Sequence, residues 1–292
     1  MQKTLLLLLL VQSATIFAQS LHPLESVTNH YEDFQKLSAT PSAERAALDS
    51  INYLPSSYSP VALLYMMLSP AYLSEGQINA LKNSVKHPAN SSDQTKAELN
   101  YLLDWEGKRT KAQEVRTAEV LAPVGYWPHV NVMKDNEGYE ENRRHLFFEG
   151  RTVLGNECTP DNYPATTKLL EGITKDMRIM EFTVKYHLLR PRPYHLEPKL
   201  KPLAIMSSPS FASGHTLWAY IHAFAWSELM PAKRKQFLDL AYEIGESREI
   251  MGIHYPSDDE AARVLAHGML SAMWSNPVFM KDFKAAKLEW KE

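Results

Sequence analysis

The sequence predicts an all-α fold, a single-domain multi-helix bundle, and three observations support this prediction. Apolar residues recur at helical spacing in several long segments. No run of alternating apolar and polar residues joined by hairpin turns occurs, and glycine is scarce, with 11 among 292 residues. A chain of this length with 45% hydrophobic residues can bury a full core. We therefore expect one domain made of helices.

The first 18 residues have the pattern of a secretory signal peptide. Lys3 gives a positive start, six consecutive leucines follow, and Ala18 offers a small residue for cleavage. The alternative is a membrane anchor, but the apolar run is shorter than the roughly 20 residues that a spanning helix needs. We therefore expect cleavage near Ala18 and a periplasmic or secreted protein with no stable membrane association.

The rest of the chain divides into two parts at the level of the sequence. Residues 19–95 begin as a polar, proline-punctuated stretch and become helical near Glu75, so we assign them to an N-terminal helical extension. Residues 96–292 form the main domain. Within it, residues 123–165 are rich in glycine and proline and predict a loop-rich middle, after which helical spacing returns at Leu169.

Charge and cysteine content exclude several classes of function. A net charge of −3 argues against a nucleic-acid-binding protein, which needs clustered positive charge. Cys158 is the single cysteine, so no intrachain disulfide can form, and we expect a small buried side chain there. The 11 histidines include no His-Glu-x-x-His or comparable spacing, so a zinc hydrolase is disfavoured and no metal site is predicted.

Three segments of the second half carry the candidate chemistry, between residues 185 and 258. They are Lys185-x6-Arg192-Pro193, Ser213-Gly214-His215 and Ser247-Arg248-x5-His254-x3-Asp258. With each specified position matched about one time in twenty, the third pattern alone arises by chance on the order of once per hundred thousand starting points. The order of all three makes coincidence a poor explanation.

The cations of these segments suit a phosphate dianion. Phosphoryl transfer passes through a loose transition state whose equatorial oxygens need fixed cations and amide donors. Arg192 and Arg248 can each meet two oxygens with a planar fork, whereas Lys185 acts as a point charge. Surface ion pairing is the alternative for any one of them. Pro191 and Pro193 restrict the backbone on both sides of Arg192 and favour a fixed direction.

The remaining motif residues supply amide donors and a nucleophile. Ser213 is placed to cap an apolar helix, so that the amides of Gly214 and His215 face an anion. His254 and Asp258 are four residues apart, and the carboxylate can accept the Nδ1 hydrogen, which leaves Nε2 as a nucleophilic lone pair. We expect the neighbouring acidic residues, Asp259 and Glu260, only to complement the helix dipole.

These segments resemble the signature of the type 2 phosphatidic acid phosphatase and vanadium haloperoxidase superfamily, and within it the bacterial class A nonspecific acid phosphatases. The resemblance is strong from about Lys168 to the C-terminus and includes the stretches 245–248 and 254–258. It implies an all-helical acid phosphatase domain over residues 96–292, a metal-free reaction without cofactor, and inhibition by vanadate. Ala212 departs from the family, which usually has proline before Ser-Gly-His.

The resemblance also implies the roles of the site residues. His254 becomes phosphorylated, His215 protonates the leaving oxygen, and Asp258 orients the nucleophile. The positions that bind the substrate phosphate are Lys185, Arg192, Ser213, Gly214 and Arg248. The mechanism requires His254 neutral and His215 protonated, so we expect their surroundings to push the two pKa values apart.

Several other functions remain open at this point. The same cradle binds vanadate in haloperoxidases, although those enzymes are generally longer, and lipid-phosphate phosphatases look like multi-span proteins. A silent phosphate-binding domain would be expected to have lost His215, His254 or Asp258, and all three are present. We expect a small-molecule phosphomonoester substrate and no nucleic-acid partner. The family also suggests a homo-oligomer. From the sequence itself we expect loops, among them residues 126–139, to form the pocket walls, with Tyr126, Trp127 and Tyr194 as candidate lining residues.

Overall fold

The computed structural model describes residues 21–25, 30–54, 60–124 and 139–290. Helices make up the regular structure of these ranges, which contain no β-strand, and the predicted all-α fold is confirmed. The α-helices are α1 (Tyr31–Gln35), α2 (Pro60–Met66), α3 (Glu75–Ser84), α4 (Asp93–Lys108), α5 (Lys111–Val115), α6 (Tyr139–His145), α7 (Phe148–Leu154), α8 (Pro164–Leu188), α9 (Pro193–Leu196), α10 (Gly214–Leu229), α11 (Arg234–Ile250), α12 (Pro256–Met273) and α13 (Pro277–Leu288). A π-helical turn, Arg116–Leu121, follows α5.

Helix α10 is the centre of the fold. Every residue from Gly214 to Leu229 is buried, and the helix packs against α8, α11 and α12. A helix that is apolar all round its circumference is stable only inside a core, and the sequence here is free of Lys and Arg. Its N-terminus, which carries the Ser-Gly-His motif, is thereby placed deep in the molecule.

Helix α8 runs for 25 residues and ends at the first cation of the signature. Leu169, Ile173 and Met177 are fully buried along one stripe, as the spacing predicts, and Lys185 lies in the last turn. The helix stops at Leu189, which has the left-handed φ of 51°. The extended segment that follows carries Arg190 and Arg192 into the interior, because proline after each arginine prevents the helix from continuing.

The turn between α11 and α12 positions the second histidine of the signature. Gly252 has a φ of +69°, a conformation that favours glycine, and it reverses the chain directly after α11. Pro256 then occupies the first turn of α12, where its missing N–H costs no hydrogen bond. His254 therefore sits between two buried helices.

The middle of the chain is more helical than predicted. Two short helices, α6 and α7, lie within residues 123–165, where glycine and proline had indicated loops. Tertiary packing outweighs the local propensities here. Phe147 is fully buried, and Gly150 packs so closely against Trp226 and Cys158 that a larger side chain would collide with them. Cys158 is a buried thiol, as expected.

The described part of residues 21–95 packs onto the same core. Asp176 of α8 accepts the amides of Ala71, Tyr72 and Leu73 at 2.5–2.8 Å. Among the described residues, no helix is long and apolar enough to cross a membrane. The predicted signal peptide, residues 1–18, lies outside the described ranges, and the division at residue 95 stays a prediction.

Candidate active site

His254 is held by one partner on each ring nitrogen. Nδ1 lies 3.0 Å from Oδ2 of Asp258, and Nε2 lies 2.9 Å from Nη1 of Arg192. A guanidinium nitrogen can only donate, so Nε2 accepts and the ring proton of the neutral imidazole resides on Nδ1. Nδ1 donates that proton to Asp258. The predicted interaction of His254 with Asp258 is present, and it leaves the lone pair on Nε2.

Asp258 is surrounded by donors. Oδ1 accepts from Nη1 of Arg190 at 2.7 Å, and Oδ2 accepts from the Ser210 hydroxyl at 2.5 Å and the Tyr255 amide at 3.1 Å. Burial opposes ionisation, but the charge of Arg190 and the hydrogen bonds from His254 and Ser210 hold the pKa of Asp258 well below its usual range. The group that orients the histidine is therefore a carboxylate at any ordinary pH.

Arg190 is a site residue that the sequence analysis missed. Its guanidinium is fully buried, stacks over the Tyr255 ring at 3.7 Å, and also faces Glu98 of α4 at 3.3 Å. Glu98 in turn accepts from the amide and hydroxyl of Ser257, at 3.1 and 2.8 Å. The sequence contained one signal for Arg190. The Arg-Pro pair occurs twice in residues 190–193, so the argument that proline restricts the backbone at Arg192 applies to Arg190 as well.

Two of the predicted phosphate-binding cations flank the loop before α10. Lys185 donates to the carbonyls of Pro209 and Ser210 at 2.9 and 3.1 Å. Arg192 donates from Nε to the Ser208 carbonyl and from Nη1 to the Ile253 carbonyl, both at 2.8 Å. Burial, reinforced by the charge of Arg192, lowers the pKa of Lys185 to about 7. These two cations face His254, whose pKa they help to lower.

The Ser-Gly-His motif forms the N-terminus of α10, as predicted. The Ser213 side chain caps the helix by accepting from the Thr216 amide at 3.4 Å. Gly214 has no room for a side chain, because a Cβ atom there would collide with the carboxylate of Glu181. His215 Nε2 lies 2.8 Å from the Ala122 carbonyl, which can only accept, so Nε2 carries a proton and Nδ1 is the exchangeable nitrogen.

Arg248 lies near enough to His215 to act on its charge. It donates to the Ser247 hydroxyl at 2.8 and 3.0 Å and to the Thr117 carbonyl of the π-helical turn at 3.1 Å. Burial and the charge of Arg248 hold the pKa of His215 well below its ordinary value. The two imidazoles are close enough to interact electrostatically, and both lie among cations.

The pKa values of the two histidines therefore move in the same direction. Burial, and then Arg192, also lower the pKa of His254 well below its ordinary value. We expected the surroundings to push the pKa values of His254 and His215 apart. In the protein alone, both pKa values are lowered. The physical reason is that each imidazole is buried next to an arginine, which penalises a second positive charge.

The expectation for Asp259 was also wrong. Asp259 does more than complement the dipole of α12, because it is buried and accepts a short hydrogen bond from the Thr216 hydroxyl. Glu260 pairs with Arg263 through both oxygens, at 2.7 and 2.8 Å. Asp259 and Glu260 lie near the N-terminus of α12, which is why the sequence predicted an interaction with the helix dipole. The sequence could not show which neighbouring helix Asp259 faces.

All eight predicted site residues converge on one interior region. Lys185, Arg192, His254 and Asp258 form one side of it, and Ser213, Gly214, His215 and Arg248 form the other. Residues 126 and 127 lie outside the described ranges, and the Tyr194 hydroxyl accepts from the Met206 amide at 3.0 Å. Within the part of the chain that the structure describes, no group of three or more His, Cys, Asp or Glu side chains is arranged to hold a metal ion.

Comparison with known proteins shows which proteins this region is similar to. The non-specific acid phosphatase of Providencia stuartii is 31% identical over 144 residues, which cover 47% of this chain and 58% of the relative. That of Salmonella typhimurium strain LT2 is 26% identical over 143 residues, covering 47% and 57%. An acid phosphatase of Zymomonas mobilis is 31% identical over 80 residues, covering 27% and 30%.

The chain thus spans little more than half the length of the Providencia and Salmonella relatives. The PAP2 superfamily matches residues 165–280, from the start of α8 into α13. That range contains all eight predicted site residues and their partners Arg190 and Ser210. The predicted resemblance is confirmed at this level: residues 165–280 match the PAP2 superfamily, and the candidate active site lies within that range.

Proposed function

We propose that this protein is a metal-independent acid phosphatase that hydrolyses soluble phosphomonoesters through a phosphohistidine on His254. The observation that carries the proposal is the fixed tautomer of His254, with Nδ1–H donating to Asp258 and Nε2 presented as a lone pair among cations. The similarity to proteins named non-specific acid phosphatase supports the reaction class. The proposal includes vanadate as an inhibitor, since it occupies phosphate sites, and export after cleavage near Ala18.

In the first step, Arg192 turns its Nη1 hydrogen from Nε2 of His254 to a phosphate oxygen, Nε2 attacks phosphorus, and the bond from phosphorus to the ester oxygen breaks. The two electrons of that bond leave with the ester oxygen, which takes a proton from Nδ1 of His215. Arg192, Lys185 and Arg248 bind the equatorial oxygens, and the Gly214 and His215 amides at the N-terminus of α10 add donors. Asp258 stabilises the positive charge that develops on the His254 ring.

In the second step, water attacks the phosphohistidine. His215, now neutral, accepts a proton from the water as its oxygen bonds to phosphorus, and the bond from phosphorus to Nε2 breaks. The electron pair returns to His254, which regains the tautomer seen in the structure. Inorganic phosphate leaves, and the alcohol has already left in the first step.

Binding of the substrate raises the pKa of His215 and so favours its protonated form. The pKa of this imidazole is lowered by burial and by Arg248, so a phosphate dianion bound between the arginines offsets the positive charge and raises it. Mildly acidic pH then favours the charged acid at His215. The proposed acid optimum follows from this coupling.

The decisive experiment is trapping of the phosphoenzyme. The enzyme is mixed with a ³²P-labelled phosphomonoester in the presence of a chelator and quenched rapidly in alkaline denaturant. We expect label on the wild-type protein that survives alkali and is lost in acid, as a nitrogen–phosphorus bond requires, and no label on His254→Ala. Label that is stable in acid, or no label during rapid turnover, would contradict the proposed intermediate.

The matched variant for this experiment is His215→Ala, which removes the proton donor and keeps the nucleophile. General acid catalysis contributes about 10²–10⁴-fold, so turnover of alkyl phosphates should fall by that order. A substrate with an acidic phenol as leaving group needs little protonation and should still label His254. Because His215 also serves the second step, the rate of labelling is compared: an equal decrease in that rate on both substrates would show that His215 does not act on the leaving oxygen.

A further inference from the structure

A buried pair of carboxyl groups lies behind the phosphate-binding loop, on the side away from His254. Glu249 of α11 is 3% exposed and Asp259 of α12 is 7% exposed, and their carboxyl groups interact directly. Burial, together with the negative charge of nearby carboxylates, raises the pKa of both well above the ordinary range. Two ionised carboxyl groups repel each other in a low-dielectric interior, and a proton retained by one of them removes that repulsion.

This pair is connected to the predicted phosphate-binding serine by two hydroxyl groups. Thr216 donates a short hydrogen bond to Oδ1 of Asp259, and its own oxygen lies 2.8 Å from the hydroxyl of Ser213. Because Thr216 has one hydroxyl proton and gives it to Asp259, Ser213 is the donor in the contact between the two hydroxyls. The position of Asp259 therefore controls the turn that presents Ser213.

The pair is also connected to the N-terminal part of the chain. Nε2 of His30 lies 2.9 Å from Oε2 of Glu249, and the His30 ring stacks on Tyr101 of α4 with centroids 4.9 Å apart. Tyr242 of α11 approaches Nδ1 of His30 at 3.3 Å. Burial lowers the pKa of His30, so it is neutral near pH 7 and does not balance the charge of the pair. A residue of the predicted N-terminal extension, His30, thus contacts the carboxyl pair behind the phosphate-binding loop.

The other charged groups that face the pair already have partners. Glu98 of α4 and Asp258 of α12 share Arg190. Glu260 of α12 is paired with Arg263, and Glu246 of α11 accepts from the Tyr242 hydroxyl at 3.3 Å. These carboxylates add negative potential at Glu249 and Asp259 without offering them a cation. Retention of a proton is the remaining way to lower the repulsion between the two groups.

We propose that Glu249 and Asp259 share one proton and act together, through Thr216, as positioning residues for the Ser213 turn and so for the Gly214 and His215 amides that follow it. Neither carboxyl group touches the substrate in this arrangement. When the pH rises far enough to remove the proton, the two carboxylates repel each other, Asp259 shifts against Thr216, and the Ser213 turn loosens. The consequence is weaker phosphate binding once the proton is lost. This inference rests on the proposed function only in taking the N-terminus of α10 as part of the phosphate site.

The test compares KM and kcat of the wild type and Glu249→Gln between pH 5 and 9. A glutamine can hydrogen-bond to Asp259 without a shared proton, so the variant should lose the rise in KM that the pair imposes. We expect the ratio of wild-type KM to variant KM to increase about tenfold or more across this range, whereas the ratio of kcat values changes little. Taking the ratio at each pH cancels the titration of the substrate.

Glu243→Gln is the matched control, because it makes the same substitution six residues earlier on α11, at an exposed carboxylate that pairs with Arg116. It should keep the wild-type pH dependence of KM. If Glu249→Gln and the wild type have the same dependence, the shared proton does not act on the phosphate loop and the proposal is overturned.

A second variant keeps the proposal testable if Glu249→Gln does not fold. Thr216→Val has nearly the same shape but removes the hydroxyl that joins Asp259 to Ser213. We expect KM to rise about fivefold at pH 5, the effect of one hydrogen bond of roughly 1 kcal/mol, with a smaller change in kcat. A wild-type KM in this variant would disprove the connection.

Binding of inorganic phosphate separates this inference from the proposed function. Calorimetric Kd values for phosphate, measured with the wild type and Glu249→Gln at each pH, require no turnover. If no phosphomonoester is hydrolysed, the proposed function fails, and a difference in the pH dependence of Kd still supports the pair. If phosphomonoesters are hydrolysed and both Kd profiles coincide, the inference fails alone.

Discussion

Asp258 and Asp259 are neighbours in the first turn of α12, yet their surroundings impose opposite states on them. Asp258 faces Arg190, Ser210 and the Nδ1 hydrogen of His254, and its pKa is held well below the usual range despite burial. Asp259 faces a second carboxyl group, and burial raises its pKa. Successive residues point about 100° apart around a helix, so the two side chains meet different elements. The charge of a buried carboxyl group is decided by what it faces.

The strongest test of this difference compares Asp258→Asn with Asp259→Asn. All other partners of Asp258 are donors, so an asparagine would turn its oxygen to Arg190 and its NH₂ group to His254. The imidazole proton would then move to Nε2 and block attack, and a wrong tautomer costs about 10⁴-fold in kcat.

Asp259→Asn can keep its hydrogen bonds to Thr216 and Glu249, and the loss of one neutral hydrogen bond corresponds to less than about tenfold. Steady-state kinetics at pH 5 with both variants measures the contrast. Comparable losses of kcat in the two variants would contradict the assignment of separate roles.

The next largest effect concerns the partner of Asp258. Arg190→Met removes a fully buried cation and leaves Asp258 and Glu98 without it. Breaking a buried ion pair on one side costs about 3–5 kcal/mol, and we expect that decrease in the free energy of unfolding from urea titration.

Arg116→Gln is the control for that substitution. Arg116 also binds a carboxylate, that of Glu243, through two nitrogens at 2.8 and 3.0 Å, but both side chains are more than 40% exposed. We expect a loss of less than about 1 kcal/mol. If the two variants were equally stable, Arg190 would not be the cation that stabilises the Asp258 carboxylate.

The smallest effect is the pH dependence of stability, which should have opposite signs on the two sides of α12. The lowered pKa of Asp258 stabilises the fold above its unfolded value near 3.8, and this contribution is lost as pH falls below that value. The raised pKa of Glu249 gives a contribution that is complete below its unfolded value near 4.5 and is lost as pH rises toward the folded value.

Thermal unfolding between pH 3 and 8 measures both contributions. The stability of the wild type relative to Glu249→Gln should decrease with rising pH, by at most about 1.4 kcal/mol per pH unit for one proton. Relative to Asp258→Asn, it should decrease as the pH falls below about 4. A parallel curve for Glu249→Gln and the wild type would mean that the pair does not retain its proton.

Much of the fold and most of the site could be predicted from local patterns. The helical spacing of Leu169, Ile173 and Met177 places α8, and the charge-free run after His215 identifies the buried helix α10. The i to i+4 spacing of His254 and Asp258 anticipates their contact. Each of these features depends on residues close together in the chain. The helices α6 and α7 were missed because buried packing, and not local propensity, stabilises them.

The sequence by itself determined the motif residues, the helical class and the hydrogen bond between His254 and Asp258, since periodicity and short spacing specify local geometry. Only the tertiary structure decided the protonation of the groups around them. Arg190 reaches Asp258 across 68 residues, and Thr216 reaches Asp259 across 43. Burial makes each such contact electrostatically strong, because water no longer screens it. The difference between two adjacent aspartates therefore follows from long-range packing, which no short pattern contains.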